Sequence, residues 1–223
     1  MAVPAHGPIP TDTRIYKLLL HAKSTLGTQG LRESVALPPG NDKDEWVAAQ
    51  ILGLYEELYA VVAAIGSFCE CREMDIGLKQ PDGRKLMVKW REASGLSKDC
   101  TAREYMRKVL AYVHEELSDR DTFPLDGSAF PERATAVSKQ MLKKMFRVYA
   151  HAYLFHFDEV KEEKMGAHLN FCYKHFLYFV KEFNLVDDQE LAPLRALNEE
   201  WLGAPPEPVP SEARPAGPAE PCT

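Results

Sequence analysis

Cysteine is scarce and unevenly placed: five residues, at positions 69, 71, 100, 172 and 222, do not make a disulfide framework. A chain of 25.2 kDa needs none. Area scaling takes roughly 36,000 Å² of unfolded surface down to roughly 10,000 Å² on folding, so the core can stand alone. The chain also lacks a charge-free apolar run of about 18 residues, and Met1–Pro10 carries no secretory leader pattern. The expectation from these absences is a soluble protein of a reducing, cytoplasmic compartment, with no membrane partner. An excess of positive charge is missing too: 27 Lys plus Arg stand against 33 Asp plus Glu, a net charge of −6. That balance argues against a domain whose main work is coating nucleic acid and favours a basic partner. G-x-S-x-G, the P-loop, G-x-G-x-x-G and H-E-x-x-H are all absent, so none of these motifs assigns an enzyme activity.

What is present is mostly helical patterning. Residues 1–12, with three prolines in the first ten, read as an extended arm, and 203–223, with seven prolines, as a tail with too little apolar surface to order itself. Between them, 13–202 reads as one helical domain. Ile15, Leu18, Leu19, Ala22 and Leu26 follow helical spacing up to Gly27. Leu37-Pro38-Pro39-Gly40 forces a turn, after which Asp42 and Glu45 have the form of a capping box opening a helix over about 43–68. That helix is apolar nearly all round, which places it at the centre of a bundle. Residues 69–101 break the pattern, with a turn at Gln80-Pro81-Asp82-Gly83 and a short strand over Leu86–Trp90 in a hairpin excursion. Helices are predicted again over about 105–121, 134–164, 166–183 and 188–201.

Three groups of residues carry candidate chemistry. His151 and His156 have the spacing of the histidine half of many zinc sites, and Cys69-Glu70-Cys71 closes the central helix, so the four make a candidate Cys2His2 set. On one unbroken helix, five residues turn by about 500°, which leaves the two imidazoles about 140° apart. A shared ion therefore requires a distortion near one histidine; the alternative is two core histidines and two reduced core thiols. Lys143, Lys144 and Arg147, with Lys139 a turn earlier, crowd one helical surface and suit a phosphoryl group, or form a solvated basic face. Asp42, Asp44 and Glu45 stabilise a helix N-terminus whatever else they do, and offer charge to a basic partner.

The passages LLLHAKSTLG (18–27), LRESVALPPGNDKDEW (31–46), FRVYAHAYLFHFD (146–158) and AHLNFCYKHFLYFVKEFNLVDDQELAPL (167–194) closely resemble the Mob family of protein-kinase coactivators. The resemblance implies a mostly α fold, a Mob-type four-helix bundle with extra helices and a small β-hairpin excursion, held by a structural zinc ion. His151 and His156 match the family's histidine ligands. Cys69 and Cys71 match its cysteine pair, with three residues fewer between them than the family's usual C-x4-C. By the same resemblance Asp42, Glu45 and His175 lie on a surface facing the basic N-terminal regulatory segment of an NDR/LATS-type kinase. Lys143, Lys144 and Arg147 match a pocket for a phosphorylated motif of an upstream Ste20/Hippo-type kinase or scaffold, and Thr25 a regulatory phosphorylation position. The implied function is a non-catalytic adaptor in growth-control or mitotic-exit signalling, in the cytoplasm and also the nucleus or spindle and basal-body structures. The alternatives are a phocein-like scaffold subunit and a zinc-dependent hydrolase, which would need an open metal position.

Overall fold

The computed structural model describes residues 13–25, 30–92 and 94–203; the expected arm and all of the expected tail except Gly203 lie outside them. Thr13 starts α1 (Arg14–Thr25), its hydroxyl accepting the Tyr16 N–H at 3.2 Å. Ile15 and Leu18 are buried, and α1 packs across α3. A short helix that the sequence pattern did not announce, α2 (Leu31–Val35), stops before the Pro38-Pro39 turn, where Gly40 takes φ +77. Its last carbonyl, Val35 O, accepts the buried Trp46 indole N–H at 2.9 Å. This bond ties the entry turn to the start of α3 (Lys43–Phe68).

Asp42 caps α3 by accepting the backbone N–H groups of Asp44 and Glu45 at 2.9 and 3.1 Å. The expected box is half made, because the Glu45 carboxylate faces Arg14 of α1 at 3.1 Å. Ile51, Leu54, Leu58 and Ile65 are fully buried. The helix is long and apolar enough to cross a bilayer, but α1, α4, α5 and α7 pack against it, and Glu56, Tyr59, Ala63 and Ser67 mark the one side left exposed.

The excursion does not contain the continuous strand expected over 86–90. Single bridges join Met74 to Val88 and Lys79 to Lys85, and the only ladder among the described residues pairs β1 (Trp90–Arg91) with β2 (Ser97–Lys98), antiparallel. A longer ladder is not sustained because this segment has no second apolar face: Leu86 and Leu96 are 44 % and 67 % exposed.

Next come α4 (Ala102–Ser118) and α5 (Arg133–Phe155). The helix predicted over 134–164 is broken at His156, whose φ −138 and ψ 12 leave the helical region, and resumes as α6 (Phe157–Glu162). Then follow α7 (Gly166–Glu182), a 3₁₀ turn (Ala192–Leu194) and α8 (Arg195–Gly203). The last helix begins later than its predicted start at 188, because Pro193 has no N–H to extend an α-helix backwards. Helices α3, α4, α5 and α7 form the bundle. Phe146 and Tyr149 of α5 meet Phe176 and Tyr173 of α7 at ring separations of 5.3 to 6.4 Å.

The N-terminus of α4 holds the excursion in place. Thr101 and Glu104 form a complete capping box, Ala102 N–H donates to Cys71 O at 3.1 Å and Arg103 Nη2 donates to Cys69 O at 2.8 Å. Thr101→Ala should therefore cost about 1 kcal/mol, read as a lower urea midpoint at an unchanged denaturant slope.

Candidate functional site

Cys69 is the C-cap of α3, its N–H bonded to Ile65 O and its φ and ψ of −66 and 115 turning the chain outward. With the Cys69 and Cys71 carbonyls both bound by α4, the two thiols, separated by the single residue Glu70, face the same side. Opposite them, the break at His156 removes the angular problem posed by the five-residue spacing. His151 stays on α5, His156 leaves it, and the two rings lie 5.0 Å apart. Cys69 Sγ is 3.6 Å from His151 Nε2 and Cys71 Sγ 3.4 Å from His156 Nε2. All four donor atoms lie within 4.8 Å of one another.

These distances fit a shared ion. Bonds of about 2.3 Å to sulfur and 2.0 Å to nitrogen at tetrahedral angles set each S···N edge at about 3.5 Å. The donor orientation fits as well: His151 Nδ1–H donates to Asp75 O at 2.7 Å, which leaves Nε2 with its lone pair toward the thiols. Burial pushes the His151 imidazole toward its neutral, ligating form. Asp75 is itself held, accepting from Gly77 N–H at 2.8 Å and Lys85 Nζ at 3.0 Å. Gly77 has φ +74, and a Cβ there would lie 2.9 Å from Leu154, so the turn beneath His151 requires glycine. Burial and the adjacent Cys69 push the Cys71 thiol up to about 11. A divalent ion reverses that preference by stabilising the thiolate. Four protein donors would complete the coordination shell, the arrangement of a structural site.

The structure brings Lys143, Lys144 and Arg147 together on α5 with partners that the sequence did not reveal. Lys143 Nζ is 2.8 Å from Glu190 Oε1, and Arg147 Nη2 is 3.9 Å from Glu190 Oε2. Arg147 Nη1 donates to Tyr105 Oη at 3.1 Å, while its buried Nε has no partner. Lys144 Nζ sits 4.2 Å above the Trp90 ring and 5.1 Å above Tyr112. Burial, and then the neighbouring Arg147 charge, push the Lys144 amine below its ordinary range. Glu190, Trp90 and Tyr112 lie 32 to 54 residues from Lys144 in the chain, so no local pattern could have grouped them.

The three residues expected on a kinase-facing surface do not share one. Asp42 is exposed, with its carboxylate engaged as the α3 cap. Glu45 is 6 % exposed, covered by Arg14 of α1. His175 is 2 % exposed, between Glu57 Oε1 at 2.8 Å and Gln50 Oε1 at 3.2 Å. Gln50 Nε2 donates to Ser34 O at 3.3 Å, which leaves its Oε1 toward the His175 ring. The Thr25 side chain lies outside the described residues. Beside Asp42, a cleft of about 340 Å³ opens between Lys43, Asp44, Phe123, Phe130, Lys139 and Phe183.

The model of the Mob1/phocein family matches residues 23–194. MOB kinase activator-like 1B of Arabidopsis thaliana is 36 % identical over 196 residues, covering 85 % of this chain and 88 % of the relative. MOB kinase activator-like 1 homolog A of Dictyostelium discoideum is 34 % identical over 200 residues, covering 88 % and 92 %. MOB kinase activator-like 1A of Medicago sativa subsp. falcata is 34 % identical over 194, covering 84 % and 87 %.

The desolvated cation makes a measurable prediction. In a pH titration followed by the NMR shifts of the lysine side chains, Lys144 should titrate below the exposed lysines, and Arg147→Ala should move it upward. A Lys144 titration indistinguishable from the rest would contradict the packing of Trp90 and Tyr112 over its ammonium.

Proposed function

The chain belongs to the Mob1/phocein family, and from that membership we propose that it is a non-catalytic kinase coactivator. In this reading it binds the basic N-terminal regulatory segment of an NDR/LATS-type kinase and a phosphorylated motif of an upstream Ste20/Hippo-type kinase or scaffold, acting in the cytoplasm. The observation that carries the reading is the match to relatives named kinase activators over nearly the whole described domain. The net charge of −6 suits a basic kinase segment, and the cation cluster on α5 suits a phosphoryl group.

Cys69, Cys71, His151 and His156 are the proposed ligands of a structural zinc ion. When bound, zinc supplies a cross-link between the end of α3 and the end of α5, and its binding free energy becomes folding free energy. Protein purified without chelator should carry one zinc per chain. Cys71→Ser should lower the zinc content and cost about 2 kcal/mol, a fall of about 4–8 °C in melting temperature for a domain of this size. Full stability with no metal would remove the zinc assignment.

The burial of Glu45 gives α1 a role in kinase binding. Arg14 of α1 covers Glu45, so that carboxylate can meet a basic partner only when α1 shifts. Thr25 is the last residue of α1. A phosphate there faces the negative end of the helix dipole and weakens the helix. Titration with the basic segments of NDR/LATS-type kinases should give saturable, salt-sensitive binding, tightened about twofold to fivefold by Thr25→Glu, the scale of one helix-terminal charge. Unchanged affinity in Thr25→Glu removes the switch, and no binding to any segment favours the phocein-like scaffold.

A further inference from the structure

We propose that Glu190 is the resident counter-ion of the cationic pocket on α5, and that a phosphate entering the pocket must first displace its carboxylate. The inference rests on the reading of that pocket as a phosphopeptide site and concerns what holds the pocket before the phosphate arrives.

Three cations and one carboxylate converge there. Glu190 Oε1 is 2.8 Å from Lys143 Nζ and Oε2 is 3.9 Å from Arg147 Nη2. With Glu190 in place the sum is two positive charges, and once its carboxylate has left it is three, against about −1.5 to −2 on a phosphothreonine near neutral pH. The question is whether Glu190 builds the pocket or merely fills it. Lys144 is fixed by the Trp90 and Tyr112 rings, and Arg147 by Tyr105 Oη. Neither needs Glu190 to keep its place. Only Lys143 depends on it, and the Lys143 side chain is 35 % exposed, free to reach another acceptor.

The exchange also strands no charge. Glu190 lies in the turn between α7 and the 3₁₀ segment, its N–H bonded to Asp187 O at 3.0 Å. Its side chain is already 34 % exposed, so the displaced carboxylate moves into water. The incoming phosphate gains Lys143, and it gains the guanidinium face that Glu190 approaches only loosely. A bidentate phosphate on Arg147 is stronger than the 3.9 Å contact it replaces. The resident carboxylate thus lowers the affinity of every anion for the pocket, so weak monoanionic side chains are held off while a dianion still enters.

The two roles predict opposite signs. If Glu190 is a resident competitor, removing it tightens phosphate binding; if it positions the cations, removing it weakens binding. The test is calorimetric titration of the full chain, Glu190→Gln and Glu190→Ala with inorganic phosphate and with a capped phosphothreonine, at low ionic strength. Both variants should bind both probes roughly fivefold more tightly, the scale of one partly exposed ion pair. Glu190→Gln preserves side-chain shape, so its folding is not at stake, and Glu190→Ala checks that the amide makes no new contact. Equal or weaker binding by both variants overturns the role of Glu190 alone. No saturable binding of either probe by any form overturns the phosphopeptide reading, and this inference with it.

Discussion

Helix α5 stops at His156 because its backbone leaves the helical region there. That one change of direction lets two imidazoles five residues apart meet two thiols two residues apart. Without it, one ring would face the thiols and the other would point away. The thiols are brought into reach by the matching event on α3, where the cap at Cys69 turns the chain outward and the backbone of α4 holds the carbonyls of both cysteines. Two helix ends and one helix start therefore fix four side chains, and no long-range strand pairing is required. Two cysteines separated by a single residue can still join the set, because α4 holds the carbonyls of both and so shapes the loop between them.

Elsewhere the bundle hides groups that sequence position alone would leave on the surface. Glu45 and His175 are both buried. His175 is satisfied between Glu57 and Gln50, and Gln50 in turn reaches Ser34 beside α2. This chain of polar contacts links α7, α3 and α2 through the core. Buried polar groups cost free energy unless every donor finds an acceptor. Here the matched donors fix the relative register of α3 and α7, a constraint that apolar packing alone specifies loosely.

The helical architecture was legible because its signals are local. Asp42 does cap the helix that follows it, the apolar run of α3 is central, and the four metal-donor residues are recognisable by type and spacing. The capping box at Thr101 went unread, and the helix it opens begins earlier than predicted. The break at His156 was legible only as a requirement: helical arithmetic demanded a distortion without saying which histidine would carry it. The surroundings of Lys144 could not be read. Trp90 comes from the excursion, Tyr112 from α4 and Glu190 from beyond α7, and no periodicity links positions that meet only after the bundle has closed. Burial of Glu45 escaped the sequence for the same reason, since it depends on α1 lying across α3.

The two candidate sites also share a scaffold. Lys143, Arg147 and His151 follow one another at intervals of four along α5, so the cationic pocket is one helical turn from a metal-donor imidazole. The excursion over 69–101 serves both: its start supplies the two thiols and the Asp75 carbonyl that orients His151, and its later part supplies the Trp90 ring beneath Lys144. It is anchored at its far end by the capping box of α4 and at its near end by the donor cluster. A metal at that cluster replaces two loose sulfur–nitrogen contacts with coordinate bonds, and so fixes the near end. The segment carrying Trp90 has only two-residue strands and single bridges of its own, so its position depends on those anchors together with the packing of Trp90 against Tyr105 and Tyr112 of α4. On the zinc reading proposed above, an ion at the donor cluster would steady both the junction of α3 with α5 and the start of the segment that carries Trp90 toward Lys144.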